Sequence, residues 1–273
     1  MTINPTHRWV FAILAVGVLA ATLSALGFGP GMAPSSDAPR LIAVKYREGN
    51  QHGFVVLHDP AGKRLAVGES WQTEKNGHIV STLVFRFPDG SRYEEVTEYV
   101  QSQTLELVRY HEKKSGPSFP EQSDFVIDIP GSLVTVHSVD KKGQPHDYEQ
   151  HVPLPRDLGN GMVSAFIKNA PDGPLEFPYL AATPEPRMVH LVITASGQRA
   201  FVVSGETRQA TEYTIHPKIG GIAGLIAPLI GKQPPDSRLW FLGGDAPAFM
   251  RAETQMIDDG PLWATLLASP DGR

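Results

Sequence analysis

H-I-V-S-T-L-V-F-R-F-P-D-G-S-R-Y-E-E-V-T-E-Y-V-Q, residues 78–101, is two runs rich in β-branched and aromatic residues joined at Pro88-Asp89-Gly90. Such side chains suit a pleated, half-buried surface. Asp89-Gly90 supplies the positive φ angles of a tight reversal, so the stretch predicts a β-hairpin with strands over 78–87 and 91–101. Working outward, comparable runs recur between turn residues at the roughly 8–12-residue spacing of an all-β protein. Residues 211–216 alternate, with Thr211, Tyr213 and Ile215 on one face, and residues 188–194 do the same through Val189, Leu191 and Ile193. Further strands are expected over 41–46, 54–58, 104–111, 125–129, 133–139, 239–242 and 262–267. Turns are expected at residues 59–62, Lys142-Gly143 and Ser196-Gly197. Links this short impose antiparallel pairing. One helix is expected over 157–169, where Leu158, Met162 and Phe166 recur every four residues beside Val163 and Ile167, and Pro171 stops it.

The N-terminus carries His7 and Arg8 ahead of an apolar stretch from Trp9 to Leu26, about 18 residues, the minimum for a membrane span. Small residues crowd its end (Ala20, Ala21, Ser24, Ala25, Gly27) and Pro30 and Pro34 follow. Residues 1–27 therefore read as a secretory signal peptide, with a retained N-terminal anchor as the alternative. Residues 28–40, rich in Gly, Pro and Ser, read as a flexible tether, and 41–273 as a single β-rich domain in the periplasm or outside the cell. The 273 residues are 41% apolar, enough for a core, with a net charge of -5. No basic block recommends nucleic acid as a partner. With no cysteine, the chain has no disulfide, no thiolate metal site and no lipid-modified cysteine.

The sequence contains no nucleophile elbow, H-E-x-x-H, phosphate-binding loop or dinucleotide-binding glycine pattern, so no catalytic residue, cofactor or metal ligand is assigned. His137, His146 and His151 fit no ligand spacing rule, although Asp140 and Asp147 are near. Ser118, in the rigid corner Gly116-Pro117-Ser118-Phe119-Pro120, has no base in evidence and reads as a turn residue. Among the acids, Glu94, Glu95, Glu98 and Glu106 fall on adjacent expected strands. Alternation sets Tyr93, Glu95, Thr97 and Tyr99 against Arg92, Glu94, Val96, Glu98 and Val100. Since neither face is cleanly apolar, this strand is expected at a solvent-facing edge, where charges deter aggregation. The alternative is a mixed face lining a polar-rimmed cavity.

The segment from Ile219 to Gly231, I-G-G-I-A-G-L-I-A-P-L-I-G, is uncharged and contains four glycines. Gly220, Gly221, Gly224 and Pro228 weaken a continuous helix, so an apolar loop or broken helix is expected. Its large side chains, Ile222, Leu225, Ile226, Leu229 and Ile230, are the candidate ligand-binding residues. They belong in the core, over an apolar ligand, or against a membrane surface.

Four stretches resemble an uncharacterised family of exported bacterial proteins. They are G-P-S-F-P at 116–120, D-L-G-N-G-M at 157–162, G-G-I-A-G-L-I-A-P-L-I-G-K-Q-P-P-D at 220–236 and G-G-D-A-P-A-F at 243–249. The resemblance spans about residues 41–269 and brings no activity. A looser similarity is to curled-sheet periplasmic domains and lipoprotein-carrier folds. The expected architecture is a large curled antiparallel sheet or open barrel, with one short helix and the apolar segment on its concave side. The expected role is non-catalytic binding of a lipid or other apolar molecule. A hydrolase acting on a glycan or ester, and a structural envelope-assembly protein, are the alternatives.

Overall fold

The computed structural model of the protein describes residues 40–203, 205–218, 234–244 and 247–269. The expected signal peptide, nearly all of the expected tether and the apolar segment lie outside them. The described chain is mainly β: one large antiparallel sheet that curls without closing into a barrel. Its strands are β1 (Ile42–Ala43), β2 (Gln51–His58), β3 (Arg64–Lys75), β4 (His78–Arg86), β5 (Arg92–Gln101), β6 (Thr104–Ser115), β7 (Gln122–Asp128) and β8 (Leu133–Val139). After β9 (Pro145–His151) comes the helix α1 (Val163–Asn169). It is followed by β10 (Leu175–Ala181), β11 (Arg187–Val203), β12 (Glu206–Lys218), β13 (Ser237–Leu242), β14 (Ala248–Gln255) and β15 (Leu262–Ala268). The spatial order is β10-β11-β12-β13-β14-β15-β2-β3-β4-β5-β6-β7-β8-β9, with β1 paired to the start of β6. The sheet therefore begins at α1's own C-terminal side and ends at the strand that leads into the helix.

The hairpin at 78–101 forms between β4 and β5. Its loop closes through the Phe87 N–H donating to the Ser91 carbonyl (2.9 Å), and Gly90 alone takes the positive φ, +85°. Asp89 Oδ1 accepts from the Ser91 N–H, and Gly116-Pro117-Ser118-Phe119-Pro120 packs on this loop. A Cβ on Gly116 would lie 2.6 Å from Ser91 Cα, so only glycine fits there.

Two apolar cores line the concave side. The larger joins Tyr110, Phe125 and Ile127 to Phe177, Ile193 and Phe241 through α1, whose Phe166 meets the Phe177 ring edge-on at 5.0 Å. The smaller gathers Leu57, Phe85, Phe87, Phe119 and Trp263. The helix is shorter than its periodicity predicts because Gly159 and Gly161 interrupt the N-terminal half. A Cβ on Gly159 would collide with Phe177, and Gly161 takes a φ of +70° against Thr97. In that non-helical run Asn160 makes two 2.9 Å hydrogen bonds to the backbone of Leu180, and the Gly159 N–H donates to the Pro178 carbonyl. The D-L-G-N-G-M segment thus covers the outer edge of β10, where Pro178 is tolerated because among the described residues no further strand pairs there.

Two expectations fail on topology. Ser196-Gly197 is a β-bulge within the long strand β11, and the reversal to β12 comes where Val203 pairs with Glu206, with Gly205 at +81°. A bulge and a turn share the same glycine signal. β5 is an interior strand between β4 and β6, so its Tyr93/Glu95/Thr97/Tyr99 face looks into the curl. Among the described residues no helix is long and apolar enough to cross a membrane.

Candidate functional site

Where α1 ends, the larger core comes to the surface. Ala170 is extended ahead of Pro171, as the residue before a proline must be, and Gly173 at φ +93° turns the chain into β10. Departure of the helix leaves Ile193, Tyr213 and Phe241, diagonal neighbours two residues apart in register on β11, β12 and β13, beneath a cleft of about 310 Å³. Ile167 and Leu175 close its inner end, and Tyr213 and Phe249 each stack edge-on against Phe241, at 6.4 and 5.8 Å. Burial raises the Tyr213 hydroxyl pKa above its ordinary value.

The opposite wall is fixed by hydrogen bonds. Asn169 Oδ1 accepts from the N–H groups of Lys45 and Tyr46 (2.7 and 2.8 Å), and the Lys45 ammonium donates to the Ala170 carbonyl at the helix end (2.7 Å). Lys168 is paired with buried Glu48 at 2.8 Å. The result is an apolar floor under a polar rim, with Lys45 and Asp172 at its mouth.

A second unusual place lies under β10, between the two cores. Glu95 and Glu112 stand directly opposite one another on β5 and β6. The Tyr93 hydroxyl lies 2.9 Å from Glu95 Oε2 and 3.2 Å from Glu112 Oε2, and the Tyr110 hydroxyl 3.2 and 3.3 Å from the same two oxygens. The Lys114 ammonium sits 3.0 Å from Glu112 Oε1. Burial, and then the neighbouring Glu112 charge, raise the Glu95 pKa against the lowering effect of the two tyrosine hydrogen bonds. For Lys114 burial opposes the charge, but the Glu112, Asp258 and Glu95 carboxylates outweigh it and raise the pKa. Burial, and then the Glu112 and Glu95 charges, raise the pKa of Tyr179 on β10, so this centre reaches from the middle of the sheet to its end.

Lys114 also lines a second cavity, of about 250 Å³, with Asp140, Lys141, His146 and Asp258. Neither Glu95 nor Glu112 lines it or the cleft beside α1. Two acids that line neither cavity are not placed to flank a scissile bond in either of them, as glycoside hydrolysis requires.

The candidate ligand-binding residues Ile222, Leu225, Ile226, Leu229 and Ile230 lie outside the described residues, between Lys218 at the end of β12 and Ser237 at the start of β13. Ser118 donates to Asp89 Oδ2 at 2.7 Å, holding the corner on the hairpin loop. His137 pairs across the β8–β9 ladder with Asp147 at 2.7 Å, a contact that raises the His137 pKa. His146 approaches Asp140 at 3.5 Å. Among the described residues no group of three or more His, Asp or Glu side chains is placed to hold a metal ion. Sequence reasoning missed the cleft because it exists only where helix, sheet and the 45–48 segment meet. The alternation through Thr211, Tyr213 and Ile215 marks the floor strand but not its uncovered part. No protein-family model matches the chain, and neither does any curated protein.

Proposed function

We propose that the protein is an exported binding protein that holds an apolar molecule, of the class of a single-chain lipid, in the cleft beside α1. One observation carries the reading: the cleft is lined at its base by the main core, with Ile193 and Phe241 only 2% exposed and the half-buried Tyr213 as the part that reaches solvent. Recessed apolar floors with a few polar groups at the mouth are the usual form of small-molecule sites, and about 310 Å³ stands at the lower end of their range of about 300–1,000 Å³. That size suits one acyl chain. At about 0.8 kcal/mol per buried CH₂, twelve methylenes give roughly 10 kcal/mol. An association cost of about 4–15 kcal/mol offsets much of this gain, so the length of chain buried decides the affinity. Lys45 at the mouth suits a polar or anionic head group. The hydrolase reading has less support, because the paired carboxylates lie away from both cavities.

The test is titration with a fluorescent single-chain fatty acid, using wild type and Ala195→Trp. Ala195 is exposed at the mouth, so the indole obstructs the cleft without entering the core. Saturable binding by wild type and a loss of at least tenfold in the variant are expected. Binding that survives the substitution unchanged sends the ligand elsewhere.

A further inference from the structure

Among the described residues, the strand edges that face outward are treated differently along the chain. The edge of β10 is covered by Gly159 and Asn160. The edge of β9, at the other end, carries Pro145, His146, Asp147, Glu149 and His151, the proline and charges that discourage pairing. A third is the outer half of β11. β10 pairs with β11 only as far as Leu175 opposite Ile193, and β13 pairs with β12 only as far as Leu242 opposite Ala210. Beyond those points β11 and β12 continue as a two-stranded ribbon, with Thr194 to Ala200 all exposed. On β12 the ribbon edge bears Glu206 and Arg208. On β11, past the bulge, it reads Gln198-Arg199-Ala200-Phe201-Val202-Val203, with one charge, no proline and Val202 74% exposed. Among the described residues no strand pairs with this outer side.

We infer that the outer edge of β11 at Gln198 to Val203 is a docking site for an extended segment of a partner polypeptide, which adds to the sheet as a further antiparallel strand in line with β10. Backbone N–H and C=O groups along an open edge are complementary to another extended backbone and to little else. The ribbon's concave face, Gln198, Ala200 and Val202 with Thr207 and Gln209 opposite, is uncharged and accepts alternating side chains of the incoming strand. A second folded copy of this chain fits less well. Six residues give only about 20 Å of edge, whereas a stable dimer needs about 800 Å² per partner. An unfolded segment does not have to meet that requirement with a rigid surface.

The experiment selects a displayed library of random decapeptides on the full chain, then synthesises an enriched peptide with its backbone nitrogens methylated in two alternating sets. In an added strand alternate N–H groups face the partner. One methylated set is therefore expected to weaken binding at least tenfold and the other to change it little, with Val202→Lys in the protein also weakening it at least tenfold. Failure to enrich any peptide, equal effects of the two sets, or full binding by Val202→Lys overturns the proposal. So does sedimentation showing that the wild type dimerises through this edge and that Val202→Lys abolishes the dimer. Ala195→Trp, which blocks the cleft, is expected to leave peptide binding intact, so the two sites fail or stand separately.

Discussion

The cleft beside α1 and the carboxylate centre under β10 depart from ordinary burial in opposite directions. In the cleft, Tyr213, an aromatic side chain packed on the core, is only half-buried. At the centre, Glu112, 8% exposed, and Glu95, which belong in water, are enclosed by tyrosines. On the binding role proposed above, the difference separates a binding surface from a structural joint. An uncovered apolar floor gains free energy when something binds. The two enclosed carboxylates are held between neighbouring strands by Tyr93, Tyr110 and Lys114, and they line neither cavity.

That contrast can be broken first at the joint. Gly161→Ala places a Cβ on the Thr97 side chain in a backbone held at φ +70°. The variant should lose about 3 kcal/mol of stability, read by urea unfolding. Next, Glu112→Gln leaves the Lys114 ammonium with a weakened partner and should cost about 2 kcal/mol, whereas Glu95→Gln removes the like-charge conflict and should cost nothing. Equal losses in the two variants would mean that the carboxylates act as one symmetric pair.

The pH dependence sharpens the same asymmetry. Because the folded pKa of Glu95 is raised, its contribution to stability is fully present below the ordinary carboxylate value and is lost as pH rises through the folded pKa. Thermal melts of wild type should therefore fall relative to Glu95→Gln as pH rises, with the two curves meeting in acid. Smallest in stability is Ala195→Trp, expected within about 0.5 kcal/mol of wild type although it abolishes fatty-acid binding.

Much of the architecture was legible from local chemistry. The hairpin at Pro88-Asp89-Gly90, β8 over Leu133–Val139 and the strand with Thr211, Tyr213 and Ile215 announce themselves by turn residues and alternation. β3, β9, β10 and β14 do not, because Gly68, the charges of β9, Pro178 and the mixed polarity of β14 hide the period of two. Gly68 is itself a tertiary feature: a Cβ there would strike Phe85 on β4. Position within the sheet was less legible than strand identity. Tyr93 and Glu95 read as an exposed edge because the burial of a mixed face depends on partners more than fifteen residues away, Tyr110 and Glu112. The cleft was not legible at all, since its wall at Lys45 and its floor at Phe241 meet only through the curl of the sheet.

The most direct test of the binding role is native mass spectrometry of the protein taken from the cells that make it, alongside Ala195→Trp, with extraction and identification of anything released. A stoichiometric apolar compound on the wild type, absent from an equally stable variant, is the predicted result. A wild type that carries nothing, or a variant that carries the same compound in the same amount, would contradict it.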